Sequence, residues 1–348
     1  MIRDSDALLD ALRAVHAELR AAVLAASDSA PVEELSAVVA DGEGDTVFAL
    51  DRIGEERLAR LFAPIAERWP LRLIAEGVPE PGIELPAGGS RPPEVVVVVD
   101  PVDGTRGLMY HKRSAWILTG VAPVRGRTPT LADIELAVQT EIPLPKQHLG
   151  DVLWARRGHG CRAERFDRLT GRSAPLRLRP SRATTVAQGF GGLARFVPGG
   201  RQRLAAIDDF VYERLLGLPR PGKAQAFEDQ YISSGGQLYE LMAGHDRWVA
   251  DLRPLVSAGP GGHGLCARPY DLCTELIARE AGVIVTDAAG GPLDAPLDTV
   301  TDVAWVAYAN AALRAQVEPV LRQALSHDTG AGPGIDPTIG EVKESYPS

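Results

Sequence analysis

Cysteine and long apolar runs are scarce in this sequence. The 348 residues include three cysteines, and none of them forms a Cys-x-x-Cys pair. An odd number of widely spaced cysteines does not indicate a disulfide framework, so a reducing compartment is expected. No apolar run reaches the roughly 18 residues that a transmembrane helix needs, which predicts no membrane association. Acidic residues near the start replace the apolar core of a secretory signal, and a cytoplasmic location is therefore expected.

Positive charge is also limited. The formal net charge is −9 at pH 7, and lysine occurs at four positions, Lys112, Lys146, Lys223 and Lys343. Binding to nucleic acid without sequence preference requires a basic surface, so this class of function is not expected. A phosphorylated substrate would be repelled by such a chain unless cations at the binding site attracted it. The content of hydrophobic residues (45%) and charged residues (24%) is that of an ordinary globular protein.

Hydrophobic periodicity predicts a mixture of helices and strands along the chain. Helical spacing occurs at 5–26, 51–68, 203–216, 235–243, 271–281 and 310–325. Short apolar or β-branched runs predict strands at 95–99, 115–122, 133–140, 151–156, 283–286 and 303–309. Interleaved elements of both kinds favour a layered α/β or α+β architecture.

The length of the chain allows two domains. Residues 170–182 are rich in Arg, Pro and Ser, which predicts a boundary near residue 180. We therefore expect an N-terminal α+β domain over 1–180 and a C-terminal α/β domain over 181–325. The tail 326–348 combines Gly, Pro and charge without periodicity and is expected to be disordered.

The most informative segment is VVVVVDPVDGT at 95–105. Asp100 ends the predicted buried strand, and the following proline restricts Asp100 to an extended conformation. Asp103 follows in the turn, where Gly104 allows the backbone to approach a ligand closely. Thr105 stands where a helix could begin, and the free N–H groups at a helix start suit a phosphate.

Two other interpretations of this segment remain open from its residues alone. It could be an ordinary Asp/Pro/Gly turn with solvated acids. It could also belong to a phosphatase of the haloacid dehalogenase type, in which Asp100 would form an aspartyl-phosphate. Those enzymes carry a strict Asp-x-Asp, whereas Val102 stands at the corresponding second position here.

Taken with two further blocks, the segment resembles the Asp-Pro-[Ile/Leu]-Asp-Gly-[Ser/Thr] signature of the inositol monophosphatase superfamily, which includes fructose bisphosphatases and bisphosphate nucleotidases. Upstream, Leu73 to Glu76 resembles the strand of that family that ends in Gly-Glu-Glu. Downstream, 270–277 and 280–291 resemble its Trp-Asp helix and its Glu-Ala-Gly-Gly strand. The resemblance covers roughly 5–325 and implies an α-β-α-β-α sandwich, with the site between two domains.

The resemblance also implies roles for individual residues. The metal ligands would be Glu76, Asp100, Asp103, Asp271 and the main-chain carbonyl of Val102. Thr105 would orient the attacking water with Asp51 as its acidic partner, and the N–H groups of Gly104 and Thr105 would hold phosphate oxygens. Gly235 and Gly236 match a segment on the substrate side, and His263 is a further candidate for substrate contact. Two or three Mg²⁺ ions and a homodimer are implied as well.

Elementary electrostatics leads to the same chemistry. A close pair of carboxylates repels by ~4 kcal/mol at an effective dielectric constant of ~20. A cluster of four would therefore take up protons unless cations occupied it. Hard oxygen ligands without a Cys or His motif select Mg²⁺. Paired ions can activate a water and stabilise a leaving oxygen, so hydrolysis of a phosphate monoester of a small polar metabolite is expected.

The sequence departs from the family pattern in ways that affect the substrate. Gly77 replaces the second Glu of the upstream pair, and no acid occurs between Asp251 and Asp271, where relatives hold a polyol. The Gly- and Pro-rich segment 252–269 is expected to lack regular structure and to set substrate choice through Arg253, His263 or Arg268. A non-catalytic relative with the same fold is the alternative function.

Overall fold

The computed structural model of the chain describes residues 1–40, 47–89, 91–256 and 265–328. The helices within these ranges are α1 Ser5–Ser29, α2 Val32–Leu35, α3 Ala49–Arg68, α4 Thr105–Met109, α5 Arg201–Leu216, α6 Ser234–Ala243, α7 Arg253–Val256, α8 Glu275–Glu280 and α9 Ala311–Asp328. Two 3₁₀ turns cover Leu131–Asp133 and Tyr270–Leu272. The strands are β1 Val38–Ala40, β2 Val47–Phe48, β3 Leu71–Ala75, β4 Ile83–Leu85, β5 Val95–Asp103, β6 Ala115–Pro123, β7 Leu136–Ile142, β8 Leu149–Arg156, β9 Cys161–Asp167, β10 Ser173–Leu176, β11 Phe190–Leu193, β12 Asp246–Asp251, β13 Ile284–Asp287 and β14 Trp305–Tyr308.

The larger sheet has eight strands in the order β10-β9-β8-β7-β6-β5-β3-β4. Only the pair β3 and β5 is parallel among the described strands of this sheet. Strand β5 is buried along its whole length, which explains its unbroken valine run. Val97 and Val99 face the core formed with α1 and α3, whereas Val96 and Val98 face the opposite core.

The smaller sheet has four strands in the order β11-β12-β14-β13. Helices α6 and α8 contact strands of both sheets and therefore fill the layer between them. Helices α1 and α3 cover the outer face of the larger sheet, and α5 and α9 cover that of the smaller one. This arrangement confirms the predicted α-β-α-β-α sandwich.

Several elements differ from the sequence-based expectation. Strands β1, β2, β4, β9, β10, β11 and β12 were not predicted, because pairing with neighbouring strands decides their conformation more than local preference does. The predicted helix 271–281 is a 3₁₀ turn followed by the short α8. Between them, Cys273 packs so tightly on β6 that a Cβ on Gly120 would lie 2.6 Å from the Cys273 carbonyl oxygen. The segment 252–269, expected to be irregular, contains the single helical turn α7.

The last described helix, α9, runs three residues beyond its predicted end, to Asp328. The rest of the tail that was expected to be disordered, 329–348, lies outside the described residues. The division into domains near residue 180 stays a prediction. Among the described helices, none combines the length and the apolar character needed to cross a membrane.

Candidate metal-binding site

Three acidic side chains meet where β5 ends. Asp100, Asp103 and Asp271 each offer a carboxylate oxygen, and these oxygens all lie within 4.8 Å of one another. The three residues line a cleft of about 600 Å³, a volume that includes space open to solvent. Glu76, which follows the neighbouring strand β3, lines the same cleft, as does Val102. The same cleft is therefore lined by all four predicted carboxylate ligands and by Val102, whose main-chain carbonyl is the fifth predicted ligand.

A β-bulge brings the two aspartates of β5 to one side of the sheet. Residues three apart in a regular strand point to opposite faces, because side chains alternate. Here Asp100 pairs with Leu118 of β6 and Asp103 pairs with Trp116, so three steps on β5 match two on β6. The extra residue returns Asp103 to the face that carries Asp100.

The third carboxylate comes from a distant part of the chain. Asp271 lies in the 3₁₀ turn that packs against β5 and β6. The backbone N–H of Arg268 donates a hydrogen bond of 2.5 Å to Oδ2 of Asp271. This bond holds one oxygen of the carboxylate, and Asp271 also forms a side-chain hydrogen bond with Asp100.

Burial and mutual repulsion raise the pKa values of the cluster. Asp100 is 1% exposed, and burial, followed by the charges of Glu76, Asp103 and Asp271, holds its pKa well above its usual range. Burial raises the pKa of Asp103 to about 8 and that of Asp271 to about 6. Such a cluster is unfavourable as a set of anions unless a cation joins it.

The donor set fits a hard divalent cation. Among the described residues, the clustered donors are all carboxylates, with no Cys or His in the group. Mg²⁺ and Ca²⁺ take oxygen ligands, whereas thiolates and imidazoles favour zinc and copper. The residues present therefore fit the predicted metal, and Val102, whose carbonyl is the further predicted ligand, lines the same cleft.

Asp103 is held by the N-terminus of α6, a feature that the sequence analysis missed. Ser233 Oγ and the Gly235 N–H donate hydrogen bonds of 2.8 and 2.7 Å to Asp103 Oδ2. Ser233 also caps α6, because its Oγ accepts a bond of 2.8 Å from the Gly236 N–H. The Ser-Ser-Gly-Gly sequence before an apolar run is a cap signal, but it does not say which carboxylate the helix start meets.

The two glycines of this segment explain how closely the helix approaches. An added Cβ on Gly235 would lie 2.9 Å from Asp103 Oδ2, and one on Gly236 would lie 2.4 Å from the Tyr231 ring. Both glycines are buried, and the cleft is lined by Ser233 and Ser234 beside them. Their contact with substrate stays a prediction. The close approach of Asp103 and of Tyr231 gives a separate reason why both residues are glycine.

The turn after β5 has the geometry that its sequence predicts. Gly104 adopts φ +98°, and an added Cβ there would lie 3.1 Å from that of Ser233. Thr105 then begins α4, and its Oγ1 donates a hydrogen bond of 2.8 Å to the Val102 carbonyl. Gly104 and Thr105 both line the cleft, as a phosphate contact would require.

Two predicted residues lie outside what the structure describes. These are the side chain of Asp51 in α3 and the whole of His263.

The two arginines suggested for substrate contact each form an ion pair within the protein. Arg253 pairs with Asp251 at 2.5 Å, and Arg268 pairs with Asp302 at 2.7 Å. Arg253 nevertheless lines the cleft, together with Arg106.

Comparison with known proteins gives structural matches but no sequence matches. No protein-family model matches the chain, and no curated protein matches it by sequence. The holo fructose-1,6-bisphosphatase of Leishmania major superposes with a TM-score of 0.66 at 14% identity, covering 94% of this chain and 96% of that one. The extragenic suppressor protein SuhB of Bartonella henselae gives a TM-score of 0.61 at 16% identity, covering 91% and 99%. An IMPase of Thermotoga maritima gives 0.56 at 17% identity, covering 94% and 99%.

These matches extend over nearly the whole length of both chains, so the likeness concerns the complete architecture and not one motif. The order of layers described above is the one that the resemblance implied. The chain therefore has the fold of the inositol monophosphatase superfamily.

Proposed function

We propose that this chain is a Mg²⁺-dependent phosphomonoesterase that hydrolyses a small phosphorylated metabolite with water. The observation that carries the proposal is the convergence of Asp100, Asp103 and Asp271 within 4.8 Å in an open cleft. The structural neighbours support it, since two of them are fructose-1,6-bisphosphatase and IMPase structures. The substrate class that fits comprises inositol phosphates, sugar phosphates and nucleotide phosphates.

The acidic residues would hold the metal. Asp100, Asp103, Asp271 and Glu76 supply four negative charges, which two Mg²⁺ ions would balance, and a third ion could join with the substrate. Bound Mg²⁺ would activate a water molecule and neutralise the charge that develops on the leaving oxygen. The contribution of the protein is then to position the reactants and stabilise charge.

The turn after β5 would handle the water and the phosphate. Thr105 already donates its hydroxyl hydrogen to the Val102 carbonyl at 2.8 Å, so its oxygen can accept a hydrogen bond from the attacking water. Asp51 is proposed as its acidic partner. The backbone N–H groups of Gly104 and Thr105 would hold phosphate oxygens, because the first N–H groups of a helix have no partner within it.

A screen of phosphate release tests this proposal. Purified protein would be incubated with inositol, sugar and nucleotide phosphates and with a generic aryl phosphate, with Mg²⁺ or with EDTA. The Asp100→Asn variant, purified in the same way, controls for a contaminating phosphatase. We expect release that needs both Mg²⁺ and Asp100. Equal release with EDTA, or from the variant, would disprove the proposal.

Trapping separates the proposed route from its alternatives. Direct attack by water never places phosphorus on the protein, so acid quenching during turnover should recover no phosphorylated protein. Recovery of phosphate on Asp100 after the quench, or formation of a beryllium fluoride adduct on that residue, would identify an aspartyl-phosphate route instead. Tight Mg²⁺ binding without hydrolysis of any tested ester would favour a non-catalytic relative of the same fold. The homodimer and the cytoplasmic location are likewise proposals, which sedimentation of the purified protein and fractionation of cells would test, respectively.

A further inference from the structure

A buried ion pair joins the two ends of the segment that borders the cleft. Arg253 is 4% exposed and Asp251 is fully buried. Arg253 Nε and Nη2 donate hydrogen bonds of 2.8 and 2.5 Å to the two Asp251 oxygens, which is a bidentate arrangement. The remaining terminal nitrogen, Nη1, donates to the backbone carbonyl of Leu265. The guanidinium thus ties the chain before residue 257 to the chain after residue 264.

The strip that begins at Leu265 forms one wall of the cleft. Leu265, Cys266 and Ala267 line it, and the Ala267 carbonyl accepts a hydrogen bond of 2.9 Å from the Val303 N–H. The strip ends at Arg268, whose N–H holds Asp271 Oδ2 at 2.5 Å. Its position therefore affects both the wall of the cleft and one of the clustered carboxylates.

One face of the guanidinium contacts a second wall of the cleft. The Phe196 ring lies 4.3 Å from the guanidinium carbon of Arg253, measured to the ring centroid, and also lines the cleft. Stacking on an aromatic face and a bidentate fork both depend on a planar guanidinium. Lysine keeps the charge but can form neither arrangement.

We propose that Arg253 is a positioning residue, which fixes the wall 265–268 and, through it, the place of Asp271 and of the substrate. The proposal rests on the proposed function for its substrate-related part, and on the geometry alone for the rest. No atom of Arg253 takes part in bond making. Its effect is transmitted through the Leu265 carbonyl and the Phe196 ring.

The Arg253→Lys variant tests the positioning role at constant charge. Removing a buried cation beside a metal site would by itself tighten cation binding, so a substitution that keeps the charge isolates the geometric effect. We expect the Kd for Mg²⁺, from calorimetric titration of the metal-free protein, to rise about 10- to 100-fold, as it does when residues that hold metal ligands in place are lost. We also expect KM to rise more than kcat falls.

Arg165→Lys is the matched control. Arg165 makes the same fork to a buried aspartate, Asp151, with bonds of 2.7 and 2.8 Å, between β9 and β8. Neither residue lines the cleft. Its replacement should leave the Mg²⁺ affinity and KM unchanged.

If the Arg253→Lys variant does not fold, a double substitution still tests the positioning role. Asp251→Leu with Arg253→Met removes both charges, so the net charge is preserved, and hydrophobic replacement of a buried ion pair is often tolerated. It also removes the bond to Leu265 and should weaken Mg²⁺ binding in the same way. Unchanged Mg²⁺ affinity and KM in a folded variant would overturn the proposal.

Thiol labelling gives a readout that needs neither metal nor activity. Cys266 is 3% exposed within the strip, so a thiol reagent should modify it slowly in the wild type. We expect faster labelling of Cys266, identified by mass spectrometry, in both variants, with Cys273 unchanged. If the wild type neither binds Mg²⁺ nor hydrolyses esters, the proposed function fails, and equal Cys266 labelling rates would then overturn the positioning role as well.

Discussion

Ser233 donates a hydrogen bond of 2.8 Å to Asp103, a residue 130 positions earlier in the chain. The same hydroxyl oxygen accepts a bond from the Gly236 N–H and so caps α6. One side chain thus links the start of a central helix to the acidic turn after β5. Asp103 lies at the positive end of the helix dipole, which favours a carboxylate there.

Replacing Ser233 with alanine should weaken both the cap and the metal site. We expect a loss of about 1 kcal/mol in the free energy of unfolding, as for other helix caps. The Mg²⁺ affinity should fall by about tenfold, because Asp103 loses an orienting partner. Urea unfolding and calorimetry measure the two effects.

The control for this prediction is Thr130→Ala. Thr130 forms a capping box with Asp133 at a 3₁₀ turn that does not line the cleft. The Thr130→Ala variant should lose stability while keeping the wild-type Mg²⁺ affinity. A Ser233→Ala variant with unchanged Mg²⁺ affinity would show that the cap does not orient Asp103.

Asp103→Asn should abolish most activity without unfolding the protein. Loss of a metal ligand should cost at least about 100-fold in kcat/KM, since loss of a residue that only hydrogen-bonds to a metal ligand costs up to that much. The amide oxygen can still accept the bonds from Ser233 and Gly235. The melting temperature of the metal-free protein should stay equal or rise, because one repelling charge is removed.

Asp10→Asn makes the same chemical change at a side chain that is 77% exposed on α1. This control should keep full activity. Comparable activity of a folded Asp103→Asn variant would mean that Asp103 is not a ligand.

Mg²⁺ should stabilise the folded protein. A ligand at 100 times its Kd that binds only the native state adds about 2.7 kcal/mol to the free energy of unfolding. We expect the melting temperature to rise with Mg²⁺ concentration and EDTA to reverse the rise. The Asp103→Asn variant should show a much smaller rise, and an equal shift in both proteins would place the stabilising ion elsewhere.

His16 should make stability depend on pH independently of the metal site. Its ring is 1% exposed and lies 2.9 and 2.8 Å from the hydroxyls of Thr140 and Thr119. Burial, with a smaller effect of Arg20, lowers its pKa from 6.5 to about 3. The unfolded chain takes up the proton first, so this stability is complete above pH 6.5 and is lost as the pH falls towards 3.

The His16→Gln variant measures that dependence, because glutamine can donate and accept the same bonds without titrating. Between pH 7 and pH 5 the wild type should lose about 2 kcal/mol more than the variant, at about 1.4 kcal/mol per pH unit below 6.5. His148→Gln, at an exposed loop position, serves as the control and should follow the wild type. Parallel profiles for wild type and His16→Gln would contradict the prediction.

Much of the fold could be predicted from local sequence. The valine run predicted β5, and the amphipathic pattern predicted α1. Both elements end within a few residues of their expected bounds. Strands β9 and β10 could not be predicted, because charged residues interrupt β9 and a proline lies within β10, so both form strands only by pairing with neighbours. The same holds for the break before α8, where close packing on Gly120 overrides helical periodicity.

For the site, the sequence by itself predicted the kind of ligand, because carboxylates, a glycine and a threonine in fixed spacing favour a hard cation and a phosphate. Only the tertiary structure decided which groups position these carboxylates. The bulge that places Asp103 beside Asp100 depends on pairing with β6. Ser233 meets Asp103, and Arg253 meets Leu265, through contacts between separate segments of the chain. Such contacts leave no local signature, because hydrogen-bond partners are chosen by proximity in space and not along the chain.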